Sequence, residues 1–200
     1  ALATAYRNAI AAQIGFTGPV RTPGKMAMPP QSRKYSTGIT SVPGTGNGDT
    51  IPEVTDPSEW ANLTTGAWCY YENDTANGPV YGKLYNWYAV NDPRGLAPQG
   101  WHVSSNSEWN LMIKCLDNSA DTSCYECIQS TLMGGKLKDT GTRYWIAPNI
   151  GATNSSLFTA LPGGFRNVNS LLFIVLGEYG EFWTSTSVDP SYAWPRVIHN

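Results

Sequence analysis

Turn-forming residues interrupt this chain so often that no long regular element fits between them. Twenty glycines and fourteen prolines stand among 200 residues, and only 14% of the residues are charged. That mix fits a globular, turn-rich protein and argues against a helical bundle or a coiled coil. The longest apolar run, Leu171-Leu172-Phe173-Ile174-Val175-Leu176, falls far short of the roughly 18 residues a membrane-spanning helix needs. A soluble protein without a membrane span is therefore expected. Ala1 to Arg7 lack the basic and apolar regions of a signal peptide, and Ala1 fits either a removed initiator Met or a cleaved signal, so export stays open.

Thirteen Lys and Arg against fifteen Asp and Glu give a net charge of -2. Counterion-driven binding of nucleic acid has no electrostatic footprint in such a chain, and neither has a polybasic membrane anchor. What the chain has in excess is aromatic: eight Trp and eleven Tyr. Trp60, Trp68, Trp87, Trp101, Trp109, Trp145 and Trp183 are expected in the core.

Three regions follow one another. In residues 1–16, Leu2, Tyr6, Ala9, Ile10 and Ile14 recur at near-helical spacing, which predicts a short helix ended by Gly15 and Gly18. It packs either on its own domain or on a neighbouring subunit. Residues 17–50 are rich in Pro, Gly, Ser and Thr and cannot offset their own ordering entropy alone. Together, residues 1–50 are read as a helix and extended arm anchoring the protein to other subunits of a homo- or hetero-oligomeric assembly, with Leu2, Tyr6, Ile10 and Ile14 as the anchor side chains.

Residues 51–200 are read as one domain. Its first half shows short β-like runs such as Val80 to Val90 between turn clusters. Ser105-Asn106-Ser107-Glu108 is a capping box, and Trp109, Met112, Ile113 and Leu116 then mark one apolar helix face. Ser123-Cys124-Tyr125-Glu126 repeats the pattern, predicting a second helix with Cys124, Cys127, Ile128, Thr131 and Leu132 on one face and Gly134-Gly135 as its stop. The class is α+β: two helices beside an irregular, mainly antiparallel sheet.

Six segments in order carry a resemblance: EWANLTTGAWCYYEND (59–74), YGKLYNWYAV (81–90), GLAPQGWHVSSNSEW (95–109), GGKLKDTG (134–141), FTALPGGFR (158–166) and FWTSTS (182–187). In this order they resemble the Fibrobacter succinogenes major paralogous domain. The resemblance implies a C-type-lectin-like fold, related to formylglycine-generating-enzyme domains and to the variable proteins of diversity-generating retroelements. It also implies a surface-exposed binding module of Bacteroidetes bacteria or their phages. Three departures stand out. Ala97 replaces the Cys that the family pairs with the one at Cys69, so Cys69 is expected to be a free thiol. The family's first strand has only a faint echo at Lys25-Met26-Ala27-Met28. Its last strand, which follows the segment resembling Tyr192 to Val197, is expected to be lost or supplied by a neighbouring chain.

The chemistry is expected to be non-enzymatic. His102, between Trp101 and Val103, reads as a packing residue, and no cysteine follows Cys127, so the reactive pair of formylglycine-generating enzymes has no counterpart. Asp and Glu are scattered singly. Cys124-x-x-Cys127 lacks a second pair for zinc, and the triplets that hold calcium and sugar in true C-type lectins are absent. No metal and no cofactor is expected. For Cys124 and Cys127, buried free thiols come first, then a disulfide from Cys115 to either, with a metal last. Three sequons, beginning at Asn62, Asn73 and Asn154, read as surface turns.

Binding is assigned to two late loops. The run Asn167 to Val175 is either a core strand or a contact patch, since large apolar residues in a loop are costly unless covered. Asn167, Asn169, Ser170, Leu172 and Phe173 are the candidates there, with Tyr192, Trp194 and Arg196 in the second loop. Both loops are expected to project from one face. The leading expectation is a display module on a phage virion, as an appendage or capsid-decorating protein that attaches to a host surface glycan or protein. The alternative is a secreted or cell-surface adhesin of a Bacteroidetes bacterium.

Overall fold

A computed structural model describes residues 13–14, 16–17, 49–97, 101–123, 128–167, 169–189 and 192–200. Its elements are mostly short. In chain order they are β1 (Gln13–Ile14), β2 (Phe16–Thr17), α1 (Pro57–Ala61), β3 (Trp68–Cys69), α2 (Gly78–Tyr81), β4 (Leu84–Tyr85), α3 (Trp87–Val90), β5 (His102–Val103), α4 (Asn106–Leu116), α5 (Met133–Leu137), β6 (Phe165–Arg166), β7 (Phe173–Ile174), β8 (Tyr179–Asp189) and β9 (Tyr192–His199). The class is α+β, as expected.

The long hairpin β8–β9 is the spine. It pairs antiparallel from Tyr179↔His199 to Asp189↔Tyr192, with register shifts after Trp183 and Ser187, and β1 joins the other side of β8 in parallel, giving the order β1-β8-β9. Three small antiparallel pairs surround it: β2–β5, β3–β4 and β6–β7. Side chains alternate along a strand, so neighbours on β8 serve two different cores. Phe182 joins Trp109, Leu137, Trp145, Ala160 and Ile198 on one face. Trp183 joins Trp68, Trp87, Val103 and Phe165 on the other. A third cluster gathers Val54, Trp60, Cys69, Tyr71 and Leu84. Six of the seven tryptophans expected in the core are buried, and Trp101 is half-buried.

α4 forms as its sequence dictates. The Ser105 hydroxyl accepts from the Glu108 N–H at 3.3 Å while the Glu108 carboxylate accepts from the Ser105 N–H at 2.7 Å. Two orphan donors of the first turn are thereby satisfied. Trp109 and Ile113, one turn apart, are buried, and the Trp109 ring lies 5.7 Å from both Phe158 and Phe182.

Three expectations are corrected. Val80 to Val90 is not one strand but α2, β4 and α3 in succession. The cause is Asn86, buried to 1% exposure, whose Oδ1 accepts from Ala89 N–H and Ala67 N–H at 3.0 Å and so starts a helical turn. Residues 128–132, expected on the second helix, are not helical, and the helix described there spans Met133–Leu137. Ser130 Oγ accepts from Met133 N–H at 2.9 Å and donates to Asp117 Oδ2 at 2.6 Å, which places the start after it. Ile128 is 71% exposed instead of facing the core, and Cys124 and Cys127 lie outside the described residues. Gly134 and Gly135 run inside this helix because it packs backbone to backbone: a Cβ on Gly135 would sit 2.2 Å from Gly151 O. Finally, Ile14 lies in β1, paired with Trp183 of β8, instead of on a helix. Leu2, Tyr6, Ile10 and the arm over 18–48 lie outside the described residues. Among the described residues no helix is long and apolar enough to cross a membrane.

Candidate functional site

The Asn167 to Val175 run ends in a short strand, with exposed residues before it. Phe165–Arg166 and Phe173–Ile174 pair as β6–β7, and the residues between them form the connecting loop. The base of this hairpin is bolted down. Arg166, only 1% exposed, donates from Nη1 to Val54 O at 2.9 Å and from Nη2 to Thr55 O at 2.8 Å. Its guanidinium also lies 4.7 Å from the Trp60 ring and 5.0 Å from the Phe173 ring. A buried cation held this way ties the hairpin to the segment before α1. Gly164, at φ 60°, opens the hairpin where a Cβ would lie 2.6 Å from Ile174 O.

The tip is the opposite. Asn167 Oδ1 accepts from Asn169 N–H at 2.9 Å and Ser170 N–H at 3.1 Å, and Asn167 N–H donates to Leu172 O at 2.8 Å. The loop therefore closes on its own polar groups. Asn169, Ser170 and Leu171 are exposed, and Leu172 is 60% exposed. Leu171 and Val175 hold positive φ values of 59° and 57°, a region that branched side chains rarely enter. Such strain persists only where the surroundings over-determine it, and it concentrates at functional segments.

Of the candidates in this loop, Asn169, Ser170 and Leu172 are presented to solvent. Phe173 is not: it is half-buried, its ring 5.3 Å from Tyr71, and packs against the third cluster. Asn167 is a turn former rather than a free side chain.

The second candidate group is elsewhere. Gly164, at the foot of the hairpin, bridges Gly180 near the start of β8, whereas Tyr192 pairs with Asp189 at its far end. Nine residues of strand separate Gly180 from Asp189, about 30 Å when extended. Tyr192 is thus set off along β8 from the foot of the hairpin, whereas Arg196 pairs with Phe182, two residues from Gly180. Arg196 is half-buried and tied inward, its guanidinium donating to Gln129 Oε1, Asn106 Oδ1 and, at 2.5 Å, Asn110 Oδ1. It fastens β9 to α4 and is not a surface handle. The side chains of Tyr192 and Trp194 lie outside the described residues.

Cys69 is a free, buried thiol, and burial pushes it up to about 12 against the lowering influence of nearby Arg166. At ordinary pH it is a thiol and not a nucleophilic thiolate. Cys115 is free and exposed. His102 meets Glu108 Oε1 at 2.7 Å on the surface beside the α4 cap. Among the described residues no group of three His, Cys, Asp or Glu could hold a metal ion.

Two buried titratable residues escaped the reading of the sequence. Lys138 is buried with Nζ donating to Ile150 O at 3.0 Å and His199 O at 3.2 Å, and desolvation lowers its pKa. Glu181 is 1% exposed, its Oε2 has no hydrogen-bond partner, and burial pushes the carboxyl up to about 8. Neither position carries a local signal, because both are buried by contacts distant in sequence.

Neither a curated protein nor a solved structure matches the chain. The family model of the Fibrobacter succinogenes major domain matches residues 31–200, spanning all six segments that carry the resemblance and the whole β6–β9 region. The chain belongs to the Fibrobacter succinogenes major domain family.

Proposed function

We propose that this chain is a non-enzymatic binding module with a C-type-lectin-like fold, displayed on a larger assembly, and that the tip of the β6–β7 hairpin meets its ligand. One observation carries the reading: exposed Leu171 and Leu172 sit on a loop whose base is pinned by buried Arg166. A rigid scaffold presenting an exposed loop is the usual division of labour in recognition. Exposed leucines flanked by Asn169 and Ser170 offer apolar area with polar groups beside it, which suits a glycan face or a protein surface.

The carrier is a phage virion, as an appendage or decorating protein, ahead of a bacterial cell surface. Leu2, Tyr6 and Ile10 remain the proposed anchor side chains; Ile14 is committed to β1. The test is attachment of the purified full chain to intact Bacteroidetes cells and to immobilised surface glycans, with Leu172→Asp as the matched variant. Saturable attachment by the parent and its loss in Leu172→Asp is the expected result. Equal attachment by both proteins would remove the hairpin tip from the function.

A further inference from the structure

β9 ends the described sheet, and its hydrogen-bonding pattern shows which backbone groups it leaves unpaired. Asn200 N–H donates to Glu178 O at 3.1 Å, so in the alternation of an antiparallel ladder Ile198 and Arg196 also bond to β8. Val197, Pro195 and His199 occupy the non-bonded positions opposite Glu181, Trp183 and Tyr179. Their backbone groups point away from β8. β8 shows the same alternation from its other side, where Tyr179 O accepts from Gly164 N–H at 2.9 Å. Among the described residues, the outer edge of β9 therefore offers the Pro195 carbonyl, both groups of Val197 and both of His199. Two of these are special. Pro195 has no N–H to offer, and the His199 carbonyl already accepts from Lys138 Nζ.

We infer that this edge pairs with the same edge of a second copy of the chain, antiparallel and two-fold symmetric about Val197. In that register each Val197 exchanges both backbone hydrogen bonds with its counterpart. Each His199 N–H reaches the partner's Pro195 carbonyl. The donor that Pro195 lacks falls opposite the carbonyl that Lys138 already holds, so neither chain is left with an unmet group. Other registers lose this match. Centring on Arg196 sets the Val197 carbonyl against Pro195 and leaves an acceptor unmet, while centring on Ile198 aims Val197 N–H at the carbonyl held by Lys138. A self-complementary edge of this kind is what an isologous interface requires. Val197 is 37% exposed although its neighbour Ile198 is buried, so pairing would cover one valine with another. Proline within a strand belongs on an edge, and here it selects a register. The inference stands independently of the hairpin tip.

Sedimentation of the full chain over a concentration series tests it. The parent should show a reversible monomer–dimer equilibrium. Val197→Pro removes an outward N–H that β8 does not use and should be monomeric; because proline also fixes φ and restricts Arg196, its thermal transition is measured beside it, and Val197→Asp and Val197→Lys leave the backbone free. Val197→Asp and Val197→Lys, each placing like charges opposite across the two-fold axis, should weaken the dimer by about tenfold or more, and mixing the two should restore it as a heterodimer. A parent that stays monomeric throughout, dimerisation untouched by all three substitutions, or an Asp and Lys pair that fails to recombine would overturn the inference.

Discussion

The base and the tip of the β6–β7 hairpin are neighbours in sequence and opposites in physics. At the base, Arg166 is buried and spends its guanidinium on two backbone carbonyls and two aromatic rings. At the tip, Leu171 and Leu172 face solvent over a loop closed by Asn167. The contrast teaches that a pinned, buried side chain and a pair of solvent-facing ones are separated within ten residues of chain, and the proposed function places recognition at the second. Substitutions at the base should therefore read out in folding, and substitutions at the tip in binding.

The largest effect is expected at the base. Arg166→Ala removes two charge-assisted hydrogen bonds and opens a cavity beneath Trp60 and Phe173, and should cost about 3 kcal/mol or more in a denaturant titration. Cys69, which packs beside Arg166, should become alkylatable at lower denaturant in the same variant. A loss below about 1 kcal/mol would mean that the base is not pinned as described.

Next comes Glu181, whose folded carboxyl titrates near 8 against about 4.3 when unfolded. Between these values the folded state holds a proton that the unfolded state has released. Stability from this group is thus complete below the unfolded pKa and lost as pH rises through the folded one. Melting temperature should fall from mildly acid pH toward pH 8, and Glu181→Gln should flatten that slope and raise stability above pH 8. A parent whose melting temperature is level over this range would contradict the burial of a protonated acid.

Ser105→Ala ranks third, at about 1 kcal/mol, because it deletes half of the α4 capping box. Leu172→Ser at the tip should change stability by less than about 0.5 kcal/mol, since an exposed side chain away from the core has little to lose.

Legibility in the sequence follows the same division. α4 could be read because its cap and its apolar face are local: Ser105, Glu108, Trp109 and Ile113 are all within one stretch. The second helix was misplaced because its start follows Ser130, which is held by Asp117 at a separation of 13 residues, outside any local pattern. Gly135 read as a stop signal, but it is small to admit the Gly151 carbonyl, a contact that no local pattern announces. At the candidate site the apolar run is visible in the sequence as an exception within a turn-rich region. Which half of it would be buried was not legible, because that depends on Tyr71 and Trp60 arriving from the other end of the domain. Arg196 looked like a surface handle for the same reason: Asn106, Asn110 and Gln129, which bind it, are far away in sequence.

The separation of base from tip is tested most directly by one paired measurement on Leu171→Ser/Leu172→Ser: the thermal transition and the attachment to host cells, each against the parent. An unchanged transition with attachment reduced by about tenfold or more, roughly the loss of one well-buried apolar anchor, is the predicted result. Full attachment, or a transition lowered as far as in Arg166→Ala, would contradict it.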